Sequence, residues 1–129
     1  MRYLKNPSEF KSSVEAREYL KSQEEMLLQC LHGTNSVLDP NDIKHFIPAL
    51  ARYWKVYLNI PGIASTDRRM ATVHCAELIR FGKNHKYSKD YRETIQDPQH
   101  KKASNLQSSL KRENSTIEDM VLVRDLRID

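Results

Sequence analysis

The chain predicts an all-α fold: a compact bundle of four or five helices with a polar tether and a C-terminal amphipathic helix. Three observations carry that prediction. Only three glycines and five prolines occur in 129 residues, too few for a turn-rich β architecture. Leu, Ala, Lys, Glu, Arg, Gln and Met are plentiful, and their summed propensity favours helix. Finally, Asn6-Pro7-Ser8-Glu9 and Asp39-Pro40-Asn41-Asp42 each place a capping side chain, a proline at the first helical position and an acid near the third. A chain of this length can bury one core.

The first cap opens a helix predicted over 8–32. Ala16, Leu20, Leu27 and Leu31 hold its face, Val14 and Cys30 flank it, and Gly33 stops it in the left-handed cap conformation. The second cap opens the central helix, whose stripe is Ile43, Ile47, Leu50 and Trp54, broadened by Phe46, Tyr53, Tyr57 and Leu58. Trp54 is therefore expected to be buried. Pro48 removes the bond back to residue 44 and predicts a bend or a restart, with helix on both sides. After a loop over 59–65 containing Pro61-Gly62, Asp67 caps a third helix. Its face is Ala71, Cys75, Leu78 and Ile79, and it is expected to end at Phe81-Gly82.

A basic stretch follows, carrying Lys83, His85, Lys86 and Lys89. Ser88 then caps a short helix presenting Tyr91 and Ile95, closed by Asp97-Pro98. Residues 98–114 read as a polar linker or weak polar helix between a bundle spanning 1–97 and a docking or dimerisation segment at 115–129. In that last segment Ser115 and Glu118 suggest a capping box, and Ile117, Met120 and Val121 are the residues expected to be buried, against the chain's own bundle or a neighbour's. We favour helix there, with a strand through "MVLV" as the alternative.

The formal charge of +4 is concentrated: residues 41–98 hold ten basic and six acidic groups, whereas 1–40 hold five and six. Such a centre suits an acidic peptide or nucleic acid. Arg68, Arg69, Arg80, Lys83, Lys86, Lys89 and Arg92, with Tyr87 and Tyr91 to stack, form the stripe a nucleic-acid reading would use. Cys30 and Cys75 lie in apolar helical patterns and read as buried free thiols of a reducing compartment. His74-Cys75 and Cys30-x-His32 lack zinc-ligand spacing, because adjacent helical residues point about 100° apart. No phosphate-cradling loop is present and no apolar run approaches the roughly 18 residues of a membrane span, so neither an enzyme, a cofactor nor a metal is expected.

"LDPNDIKHFIPALARYWKV" and "ELIRFGKNHKYSKDYRETI" resemble the TFIIS-N-terminal-type helical bundle. The nearer likeness is to its variant in the integrase-binding domain of lens-epithelium-derived growth factor and hepatoma-derived-growth-factor relatives. The resemblance covers roughly residues 16–96 and rests on Ala49-Leu50 to Tyr53 and Val56, and on Ile79-Arg80-Phe81-Gly82-Lys83. It implies a nuclear, non-enzymatic module of chromatin or transcription that docks disordered acidic-aromatic motifs on inter-helical loops. The docking residues it implies are Asn35 with Val37 after the first helix, then Arg80, Phe81, Lys83 and Lys86 after the third. Asn35 stands where the best-known relative has an acid, and Pro48 and the segment 115–129 also depart from the pattern. A small basic nucleic-acid-binding domain is the alternative, and a homodimer through 115–129 is a further expectation. Phe81 can be a loop contact or, three residues after Leu78, a core side chain.

Overall fold

Helix starts are marked by caps at Ser12, Asp39 and Thr116, whereas the helix over 65–85 begins two residues before Asp67, its expected cap, which lies in the first turn paired with Arg17. In a computed structural model that describes residues 4–85, 106, 108, 110–111 and 114–128, every described residue range is helix, turn or irregular chain, with no strand among them. Four α-helices pack together: α1 (Ser13–Leu31), α2 (Pro40–Leu58), α3 (Ser65–His85) and α4 (Ile117–Asp125). The Asn6 side chain does accept from the Ser8 amide, but it closes only a 3-10 turn, Pro7–Glu9. A second cap, Ser12 accepting from the Glu15 amide, begins α1. The predicted helix over 8–32 is thus broken at 10–12, because each cap satisfies its own set of orphan donors.

At α2 the expectation holds in detail. Asp39 and Asp42 form a reciprocal capping box, with Pro40 at the start. The helix runs without a restart through Pro48 to Leu58. Its C-terminal end is tied to α3 by Arg68, whose guanidinium donates to the Leu58 carbonyl at 3.0 Å. Gly33 and Gly62 take positive φ values of 81° and 83° in the two inter-helical turns, where a side chain would be strained.

α2 is the central element, packed on α1 and most extensively on α3. Trp54 and Tyr57 are fully buried in its C-terminal part, rings edge to face with centroids 5.6 Å apart. Around them lie Leu20, Leu27 and Leu31 from α1 and Ala71, Cys75 and Leu78 from α3. Leu106 and Leu110, both at helical positions, join the same core. At these positions the expected polar linker therefore supplies core side chains. Both cysteines are buried free thiols, and the Cys75 thiol donates to the Ala51 carbonyl at 3.2 Å. No described helix is long and apolar enough to cross a membrane.

Two expectations are corrected. Helix α3 does not end at Phe81-Gly82 but continues to His85. Gly82 is not a left-handed terminator; it lies inside the helix, where an added Cβ would meet Ile47 Cγ2 of α2 at 3.4 Å. In α4 the face packed on the chain's own bundle is the opposite of the one expected there. Asp119 and Val123 point inward with Leu122 and Leu126 beside them, whereas Ile117, Met120 and Val121 are 79%, 55% and 38% exposed. The cap is also shifted by one residue, Thr116 with Asp119 in place of Ser115 with Glu118. Asp119 is turned onto Arg80 of α3, 2.6 Å away, with the apolar trio outward. The other end of α4 is also held by a cation: Lys55 Nζ of α2 donates to the carbonyls of Arg124, at 3.0 Å, and Leu126.

Candidate functional site

An interruption of this packing that is both apolar and charged in one sense lies between α2, α3 and the end of α4. Ile47, Ala51 and Leu78 form its buried floor, and Pro48, Ile79 and Gly82 its half-buried walls. Leu126, just past α4, closes one side, and the groove encloses about 400 Å³, within the range of ligand-binding clefts. Around the rim stand Lys44, His45, Arg52 and Lys83, and among the described lining residues there is no carboxylate. The cause is helical spacing: Lys44, Pro48 and Arg52 lie at i, i+4 and i+8 on α2, and Ile79, Gly82 and Lys83 at i, i+3 and i+4 on α3.

Chemically, such a groove offers apolar contact below and cations above. Lys44 and Lys83 are exposed and Arg52 half-buried, so their charges remain hydrated until something covers them. The groove presents no pair of acid–base groups. It fits a chain that buries apolar side chains while aiming carboxylates outward.

A second feature sits on the other side of Trp54. The Glu24 carboxylate of α1 is 4% exposed and accepts from the Trp54 indole N–H; its second oxygen lies 2.5 Å from His74 Nδ1 of α3. The imidazole, itself 5% exposed, packs on the Trp54 ring with centroids 4.8 Å apart. With Glu24 ionised, Nδ1 carries the proton that the carboxylate accepts. The pair forms part of the wall of an open groove of about 440 Å³ whose other described lining residues include Lys21, Glu25, His32 and Lys111. His32 Nε2 is buried without a hydrogen-bond partner there. The thiol next to His74, Cys75, is committed to Ala51, and burial pushes its pKa up to about 12, with Lys55 opposing and Glu24 adding. No trio of potential metal ligands occurs among the described residues.

The residues expected from the sequence are dispersed. Lys83 lies on the rim of the apolar groove. Asn35 is in the α1–α2 turn, its amide donating to Gln29 Oε1 and its oxygen accepting from the Val37 amide. Val37 is exposed, and neither residue lines the grooves described above. Arg80 is engaged by Glu77 at 2.5 Å and by Asp119. Burial opposes its charge, but the two carboxylates outweigh that and hold its pKa above the ordinary value. Phe81 is 5% exposed, inside α3 and part of the core, so of its two readings the structure takes the core side chain. Lys86, and the Ser88 helix with Tyr91 and Ile95, lie outside the described residues. Within the stripe a nucleic-acid reading would use, Arg68 and Arg80 are turned to partners inside the protein.

Two functional features escaped the sequence reading, and both left a trace. Lys44, Pro48 and Arg52 form a second i, i+4, i+8 stripe beside the apolar one in α2. Glu24 interrupts the face made by Leu20, Leu27 and Leu31, where a carboxylate needs a partner. Comparison of the chain with models of protein families, with characterised proteins and with solved structures finds no match.

Proposed function

We propose that this chain is a non-enzymatic protein-interaction module, which docks an acidic segment of another protein with interspersed large apolar side chains in the α2–α3 groove. The observation that carries the reading is the combination of an apolar floor with a rim whose described ionisable members are all basic. Apolar burial supplies affinity, while the rim selects acidic chains and speeds their encounter. The setting in chromatin or transcription, and a nuclear location, follow from the resemblance to TFIIS-N-terminal-type bundles. This reading moves the contact from inter-helical loops to a helix–helix groove, since Phe81 is buried and Arg80 is occupied.

The test uses defined probes. A fluorescein-labelled synthetic peptide of Asp, Glu, Leu and Phe should bind, and the same peptide with Asn and Gln in place of the acids should bind much more weakly. Reversing Lys44, Arg52 and Lys83 to Glu should abolish binding of the acidic peptide. A labelled DNA duplex and an RNA oligonucleotide provide the other arm. If either binds at physiological salt more tightly than the peptide, and loses affinity on the same reversals, the module is a nucleic-acid binder and the proposal is wrong.

A further inference from the structure

We infer that α4 is a detachable wall of the groove, latched by two cations, and that the groove is complete only while α4 is docked. This inference rests on the docking role given to the groove above. Three observations lead to it. First, α4 is pinned by two charged contacts besides its apolar seat of Val123 and Leu122. Asp119, 1% exposed, meets Arg80, and Lys55 caps the carbonyl end, while the trio Ile117, Met120 and Val121 faces solvent. Removing one partner of a buried pair is strongly destabilising, so these contacts control whether a nine-residue helix stays docked. Second, the latch and the groove share structure. Leu126, just past α4, whose carbonyl Lys55 grips, lines the groove, and Arg80 follows Ile79, which lines it too. Third, the groove retains its volume of about 400 Å³ with Leu126 in place. The end of α4 therefore does not plug the site; through Leu126 it closes one side.

The sign of the effect follows. An occupant touching Leu126 binds the docked state better, so binding and docking reinforce each other by the same factor. Neither Asp119 nor Lys55 lines the groove, so both can be altered without touching the binding surface. Losing roughly half of the contact made by one leucine side chain corresponds to about a tenfold change in affinity.

The experiment compares the wild-type chain with a Lys55→Met/Asp119→Asn variant, using hydrogen exchange and the acidic fluorescein peptide as probe. In the variant, amides of 117–125 should exchange faster while those in the centres of α2 and α3 stay protected, which shows that the bundle is intact. The peptide should bind the variant about tenfold more weakly, and adding it to the wild type should slow exchange over 117–125. Leu126→Ala, which removes the wall and leaves both latches, should lose affinity without faster exchange. Binding of the variant as tight as or tighter than wild type, or faster 117–125 exchange when peptide is added to the wild type, would overturn the inference and leave the groove reading standing. Failure of the peptide to bind the wild type would remove the groove reading, and the wall with it. Unfolding of the whole variant would likewise contradict a detachable α4.

Discussion

Replacing Glu24 tests whether the polar cluster at the centre of the bundle is a bonded unit. In Glu24→Leu the volume is nearly conserved, so no large cavity opens. What changes is bonding: the Trp54 indole N–H and the His74 Nδ1 both lose their acceptor in places that are 0% and 5% exposed. Leaving a buried donor unpaired costs about 1–3 kcal/mol each. The new leucine gains about 1.5–3 kcal/mol of apolar burial, and the cost of burying a carboxylate disappears. These terms largely offset, and a net loss of about 1–2 kcal/mol is expected. Glu24→Gln should cost about 1 kcal/mol, because its carbonyl still accepts from the indole and a shift of the imidazole proton to Nε2 lets the amide donate to Nδ1. The triple variant Glu24→Leu/His74→Leu/Trp54→Phe removes every member of the network and should recover most of the loss. Urea unfolding followed by far-ultraviolet circular dichroism gives each value by linear extrapolation. A Glu24→Leu protein as stable as wild type, or a triple variant no better than the single, would refute the bonded unit.

Three further outcomes are expected. Burial raises the Cys75 thiol from 9.0 to about 12, so its contribution to stability is complete below pH 9 and is lost as pH rises towards 12. Above pH 9 the wild-type urea midpoint should therefore fall more steeply than that of Cys75→Ala, and equal slopes would contradict the burial effect. Gly82→Ala should stabilise by about 0.5–1 kcal/mol, since the position is helical and the new methyl meets Ile47 at ordinary contact distance; a thermal melt checks it. The same methyl enters the groove, so peptide affinity should drop. The Tyr57 hydroxyl is buried without a hydrogen-bond partner, so Tyr57→Phe should keep its urea midpoint or gain up to about 1 kcal/mol.

The helices were readable where a cap and a stripe agree. Asp39 with Asp42, followed by Ile43, Ile47, Leu50 and Trp54, fixes α2 because local hydrogen bonding and burial point to one answer. At Gly82 the same kind of reading failed. Glycine marks helix ends because it tolerates positive φ, yet here it lies inside α3 facing Ile47 of α2, and packing across the helices carries the chain past it, which local sequence does not express. α4 failed for a related reason. Ser115 and Thr116 are both competent caps, and the choice between them was made by Arg80, thirty-nine positions before Asp119. The inward face is set by that long-range pair together with Val123 in the core, and the local pattern expresses neither. The groove was hidden because its basic members belong to two helices, and only their packing brings Arg52 and Lys83 to one rim.

Pro48 and Gly82 belong to the two residue types least suited to a helix interior, and they stand on facing walls of one groove. A proline inside a helix gives up about 3 kcal/mol relative to alanine, and a glycine about 1. In a domain whose whole margin over the unfolded chain is of the order of 5–15 kcal/mol, that is a sizeable fraction spent in one place. The proline ring narrows one wall and removes the donor for the Lys44 carbonyl, while the missing side chain of the glycine deepens the other. Selection for thermal robustness alone would therefore be expected to erode this cavity first, replacing both residues with alanine and yielding a sturdier bundle with a shallower cleft.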